Sequence, residues 1–284
     1  MKKYNLFYLL AVLGGAVGFL LRLLQNRTGF EAETGLPVSG NLPALALIVL
    51  LVIFAAALLL LSKAWPAGDS PAFPQDFSTE DPKQLTLPVL GALMMGLAGL
   101  ADLYESFTHR NLLLQLQSAA DPYGLVMEIT PVFSSRLQML LGILSILSAA
   151  ALFLAAAACR RRDDGANAYN ATLLLVPPVA LVVRLVLTYR ADSINPALAA
   201  YYVELLALIF LTMAFYRLSS FAFGDGRVSR FALYTGLAVV CSLATLADGG
   251  PHLSSLLLYV GGSLTLLGIL LLHIAQTEDA GSSL

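Results

Sequence analysis

The stretch PPVALVVRLVLTYR runs from residue 177 to residue 190. It opens on two prolines, continues almost wholly apolar, and carries Arg184 and then Arg190. A soluble helix would not be this greasy, and a lipid-facing helix has no obvious use for the prolines or for Arg184. The same order recurs at 14–27, GGAVGFLLRLLQNR, with Gly14 and Gly15 in place of the prolines and Arg22 and Arg27 in place of the arginines. Reading these two segments as membrane helices of related design organises the rest of the chain.

The solvent follows from composition. The 284 residues are 58% hydrophobic and 12% charged, with a mean hydropathy of +0.80. A soluble domain carries about 25% charged residues. Crossing a bilayer takes about 20 consecutive, mostly apolar residues per helix. Eight such spans are expected, at 4–24, 42–63, 86–104, 136–158, 168–189, 196–217, 229–248 and 253–274. Their hydrophobic runs are continuous and do not alternate, which predicts an all-α integral membrane protein with eight transmembrane helices and argues against a barrel.

Lys and Arg set the orientation. Ten lie on the side of the N-terminus, including Arg160, Arg161 and Arg162, against six at or just inside the other surface. Both termini are therefore expected in the cytoplasm and the first helix to remain uncleaved. The chain reads as a multi-pass protein of the cell membrane, of the bacterial cytoplasmic kind. Nothing outside the spans is basic enough to suggest nucleic acid, and the partner expected first is the lipid bilayer. Cys159 and Cys241 fall at different depths, too far apart to bridge.

Spans one to four resemble spans five to eight. NLPALAL (41–47) corresponds to NPALAA (195–200), GLAGLAD (96–102) to SLATLAD (242–248), and SSRLQMLLG (134–142) to SSLLLYVGG (254–262). The order is the same in both halves, which predicts two parallel four-helix repeats, 1–158 and 168–274, followed by a tail at 275–284. The connections differ. Residues 64–85 read as a Pro- and Asp-rich cytoplasmic linker without regular structure. Residues 105–133 read as a long outer segment, in which NLLLQLQSAA (111–120) is expected as a short helix lying on the membrane surface.

Five ionisable residues fall in the outer halves of the spans: Arg22, Arg184, Asp102, Asp248 and Glu204. Such side chains are costly in a bilayer and normally face protein or water. A long arginine can instead snorkel to the headgroups, but the repeat uses the same depth twice. Asp102 and Asp248 stand at helix C-termini, where the dipole opposes a carboxylate. Each is expected to pair with one of the two arginines. Glu204 lies eight residues beyond Pro196, about 12 Å along the axis, too deep for a short side chain to snorkel. It is expected to pair with Arg184, or to act as a ligand or proton site. Pro177 and Pro178 predict a kink near the middle of span five. Gly14 and Gly15 mark the matching helix-break position of span one, with close helix packing as the plainer alternative.

No cofactor or metal is expected. The three histidines lie at or beyond span ends. Glu105 and His109 would share a helix face near Asp102 and His252, but solvated surface polarity accounts for them more simply. No catalytic motif is present. The favoured reading is a transporter- or permease-like protein with an outward-facing polar site between the halves, for a small anionic or proton-coupled ligand. The alternatives are a non-transporting subunit or sensor whose charges are struts, and a membrane-embedded lipid-modifying enzyme.

Overall fold

The computed structural model describes residues 2–31, 36–63, 73–120, 130–160, 171–192, 198–248 and 253–282. Within these it leaves aside the side chains of 2–5, 109–120, 130–135, 171, 191–192, 198–200 and 277–282. Every regular element among the described residues is helical. The eight α-helices are α1 (Lys2–Thr28), α2 (Leu42–Ser62), α3 (Thr86–Ala120), α4 (Thr130–Ala158), α5 (Val176–Asp192), α6 (Leu198–Ala222), α7 (Val228–Thr245) and α8 (Leu253–Ser282). All eight are long and apolar enough to cross a membrane, and each covers one of the spans expected from the sequence.

Local sequence explains several boundaries. Asn41 caps α2, its side chain accepting from the Ala44 amide at 3.0 Å, and a proline stands in the first turn. That cap satisfies one of the amides a helix start leaves unpaired. In α5 the prolines stand just after a change of helix type. A 3-10 turn at Ala171–Leu175 hands over to an α-helix that begins at Val176, so Pro177 and Pro178 occupy its first turn. First-turn amides have no intrahelical acceptor, so the prolines sacrifice no helical hydrogen bond there.

The expected break at Gly14 and Gly15 is also absent, for α1 runs unbroken through both. These glycines let neighbours approach. A Cβ on Gly14 would fall 2.6 Å from the ring Cε1 of Phe54 in α2, and one on Gly15 would fall 2.8 Å from Leu243 Cβ in α7. The same device seats α3 between α4 and α8. Gly91 lies against the backbone of Gly261 and Thr265, and Gly99 against the backbone of Gly142.

Neighbour relations close a ring: α3 packs on α4, α4 on α5, α5 on α6, α6 on α7, α7 on α8, and α8 back on α3. The α1–α2 hairpin lies outside, against α7. Helix α7 is accordingly the most enclosed span, 67% buried, while α2 is 11% buried and presents an almost wholly apolar surface. In a bilayer that surface belongs to lipid, which is as apolar as the leucines it meets.

Two connections differ from expectation. The segment 111–120 is not a separate surface helix. It continues α3, whose 35 residues reach about 52 Å at 1.5 Å per residue. No Gly or Pro lies between Ala101 and Ala120 to stop it. The second half of the linker is structured too. Residues 75–77 and 82–85 form 3-10 turns, and Phe77 is fully buried among Phe73, Phe221 and His273. The Thr79 amide donates to the Cys159 carbonyl at 2.8 Å, His273 Nδ1 meets the Asp76 carbonyl at 3.1 Å, and Gln276 donates to the Gln75 carbonyl at 3.1 Å. The aromatic side chains supply the burial that the polar composition of the linker concealed. Residues 64–72 and the loop 121–129 lie outside the described residues.

Candidate polar site at one end of the bundle

Arg22 stands near the end of α1 and is completely buried. It does not snorkel. Its Nε donates to Asp248 Oδ1 at 2.5 Å and its Nη1 to Gln25 Oε1 at 3.0 Å. Its guanidinium lies over the Tyr202 ring of α6, 5.4 Å from the centroid, a cation–π contact that turns an apolar wall into a partner for charge. Asn26 Nδ2 donates to the same Asp248 oxygen at 2.9 Å and to the Ala247 carbonyl at 3.1 Å. Asp248 is held in a 3-10 turn, Leu246–Asp248, that continues α7. These contacts fasten that turn to α1.

The second pair lies inside the ring. Arg184 of α5 donates from Nη1 to Asp102 Oδ2 of α3 at 2.8 Å, and from Nη2 to Asp102 Oδ1 at 3.5 Å. Nη2 also reaches the hydroxyls of Ser254 and Ser255 at the start of α8, each at 3.4 Å. The side chains of Arg184 and Asp102 are 7% and 3% exposed. Two charges so enclosed are tolerable only because they are paired and hydrogen-bonded.

Both expected Arg–Asp pairs therefore form, Asp102 with Arg184 and Asp248 with Arg22. Each joins the first half of the chain to the second. Glu204 of α6 is half-buried and accepts a 2.7 Å hydrogen bond from the Tyr259 hydroxyl of α8. The expected partner, Arg184, gives its closest contact to Asp102 instead. Tyr259 stands four residues, about one helical turn, beyond Ser255, so Glu204 meets α8 one turn from the hydroxyls that Arg184 reaches. Arg22 and Asp248 form their own cluster against Tyr202 of α6.

Several members were missed by sequence reasoning. Gln25 and Asn26 follow Arg22 by three and four residues, the spacing that shares a helix face, and that signal was available. Tyr202, Tyr259, Ser254 and Ser255 were not legible, because a hydroxyl in a membrane span is common and its partner comes from another helix. Glu105, considered as a metal ligand, accepts from Gln138 Nε2 at 2.8 Å across the α3–α4 interface. His109 and His252 lie outside the described side chains. Among the described residues no three His, Cys, Asp or Glu side chains gather. Both cysteines are free and buried.

At this site the hydrogen-bonding is incomplete. Asp248 Oδ2, the Tyr202 hydroxyl, Thr245 Oγ1 and Ser242 Oγ are buried and have no hydrogen-bond partner among the described residues. Tyr202 lies against the Arg22 guanidinium, and Thr245 and Ser242 stand three and six residues back from Asp248 along α7. Leaving such groups dry costs about 1–3 kcal/mol each. Water or a hydrogen-bonding solute is the partner that fits.

Comparison with known proteins gives no match, whether to a family model, to a curated protein or to a solved structure.

Proposed function

We propose that this chain is a permease-like membrane protein whose polar site opens on the outer face, with both termini cytoplasmic, and that it is built from two parallel four-helix repeats. The observation that carries this is the crossed pairing of the charges. Exchanging the halves maps Arg22–Asp248 onto Arg184–Asp102, and Glu204–Tyr259 adds a third polar contact, between α6 and α8. The correspondence is one of side chains more than of helix packing. Helix α1 lies along α7, whereas the closest approach of α5 to α3 described above is through Arg184. Ion pairs at the junction of two halves are the kind of contact that alternative arrangements of those halves make and break.

The arginines are less suited to an anionic ligand than their number suggests, because each already faces a carboxylate. The atoms with hydrogen-bonding capacity to spare are hydroxyls and Asp248 Oδ2. The site fits a proton-coupled or hydrogen-bond-donating solute, with Glu204 as the carboxylate that takes part.

One observation favours a non-transporting subunit. With both arginines matched by aspartates, the pairs also serve as struts. Solid-supported-membrane electrophysiology separates the readings. Liposomes containing the protein are challenged with amino acids, dicarboxylates, polyols and pH steps. The proposal expects at least one class to give a current that Glu204→Gln abolishes. No current from any class, with Glu204→Gln altering stability alone, leaves the strut reading.

A further inference from the structure

Helix α7 carries more unpartnered polar atoms than its outer end explains. Besides Asp248 Oδ2, Thr245 Oγ1 and Ser242 Oγ, the Thr235 hydroxyl deeper in α7 and the Ser263 hydroxyl of α8 are buried without a hydrogen-bond partner among the described residues. A buried Ser or Thr in a helix ordinarily donates to the carbonyl one turn back, as Ser148, Thr212 and Thr265 do here. These four hydroxyls do not.

Their direction follows from the packing. Gly236 of α7 faces Phe7 of α1 and Leu58 of α2, and Leu243 and Ala244 face Gly15 and Gly18 of α1. At about 100° per residue Ser242 and Thr245 then point to the opposite side, where α6 and α8 lie, with Thr235 beside them.

Depth completes the row. Helices α7 and α8 run antiparallel and are joined at the outer end, so Ser263, ten residues into α8 from Leu253, lies level with Ala238, ten residues back from Asp248. It falls in the gap between Ser242 and Thr235. The successive levels Asp248, Thr245, Ser242, Ser263 and Thr235 are then about 4.5–6 Å apart, a spacing that a water molecule bridges. Beyond Thr235 stands Arg217 of α6, its guanidinium 5.9 Å from the ring centre of Tyr234 and its buried Nε also unpartnered.

We infer that this row is a water-holding path through the most enclosed part of the bundle, from the outer polar site to the end of α6 and α7 marked by Arg217. The species it fits are water, protons exchanging along water, and small neutral hydrogen-bonding solutes. The guanidinium at the inner end opposes metal cations, as a fixed positive charge does in other pores. The inference deepens the proposed function and rests on it for the outer mouth.

The test uses D2O as the probe and the infrared S–H stretch as the readout, on the full chain in nanodiscs. Single thiols are introduced at Ser242→Cys, Ser263→Cys, Glu204→Cys and Leu152→Cys in a Cys159→Ser, Cys241→Ser background, and retention of cooperative melting checks each fold. Leu152 is a dry control in the apolar core. A wet path predicts exchange to S–D at 242 and 263 at least about tenfold faster than at 152, where exchange waits for larger opening. Exchange at 242 and 263 no faster than at 152 overturns the path. If position 204 still exchanges fast, the outer site survives that result. If 204 is also slow, the outer site falls with the path. In a background with Cys241 retained, the native thiol reports the same level without a new side chain, and its failure to exchange also counts against the path.

Discussion

Replacing Arg184 by Gln removes the positive partner of Asp102 and leaves a carboxylate that is 2% exposed as a residue. All the hydrogen bonds that Asp102 receives among the described residues come from Arg184. Breaking one side of a pair this enclosed costs about 3–5 kcal/mol. Asp102→Asn strands a guanidinium instead, but one that keeps the hydroxyls of Ser254 and Ser255 at 3.4 Å. Its loss is therefore smaller, about 1–3 kcal/mol. The double variant Arg184→Gln/Asp102→Asn buries two neutral amides that can bond each other, and it is expected to recover most of the deficit, with a coupling of at least about 2 kcal/mol. Reversible unfolding in mixed micelles, followed by circular dichroism, measures all three. A double variant whose loss equals the sum of the singles would refute the reasoning. So would an Arg184→Gln variant within about 0.5 kcal/mol of the parent, the range of an ordinary surface substitution.

Other consequences follow from named contacts. Gly91→Ala places a Cβ 2.5 Å from the Gly261 oxygen and the Thr265 amide, backbone atoms that cannot turn aside. It is expected to lose about 1–3 kcal/mol in the same unfolding assay, while Gly96→Ala, 3.3 Å from Ala149 Cβ, changes little. Phe77→Ala empties a fully buried position and is expected to lose about 3–5 kcal/mol and to expose the 73–85 segment to limited proteolysis. An unchanged cleavage pattern would contradict its role as the anchor. Tyr259→Phe removes one hydrogen bond to Glu204 at constant shape and is expected to lose about 1–2 kcal/mol, a loss that vanishes in a Glu204→Gln background if the two groups act only on each other. Burial pushes the Cys159 thiol from 9.0 up to about 12. The unfolded thiol therefore releases its proton first, so the stabilisation is fully present below 9 and is lost as pH rises from 9 to about 12. Alkylation of Cys159 at pH 8 is expected only after unfolding, and fast labelling of the folded chain would contradict its burial.

Eight helices were legible because lipid leaves one strong signal, a long apolar run, and nothing in the later packing competes with it. The two Arg–Asp pairs were legible for a related reason, since charge in a membrane has few places to go. The linker was misread because its prolines and acids resemble disorder, while the three-dimensional fact that decides it, Phe77 inserted beside Phe221 and His273, comes from distant helices. Span five was expected from 168, whereas its α-helix begins eight residues later, at Val176. That shift converts a mid-helix position for prolines 177 and 178 into a first turn, and the apolar 3-10 stretch Ala171–Leu175 hides the boundary in the sequence. The partner of Glu204 was missed because Tyr259, like most membrane tyrosines, gives no sign in sequence of the direction it faces.

Glu204 is proposed to belong to a wet, working site and not to serve as an internal strut. Attenuated-total-reflection infrared spectroscopy of the membrane-reconstituted protein, stepped in pH, tests it directly against Glu204→Gln. A carboxyl band is expected that rises and falls reversibly with bulk pH, shifts in D2O, and disappears in the variant. A difference spectrum identical in the parent and in Glu204→Gln across the whole range would contradict it.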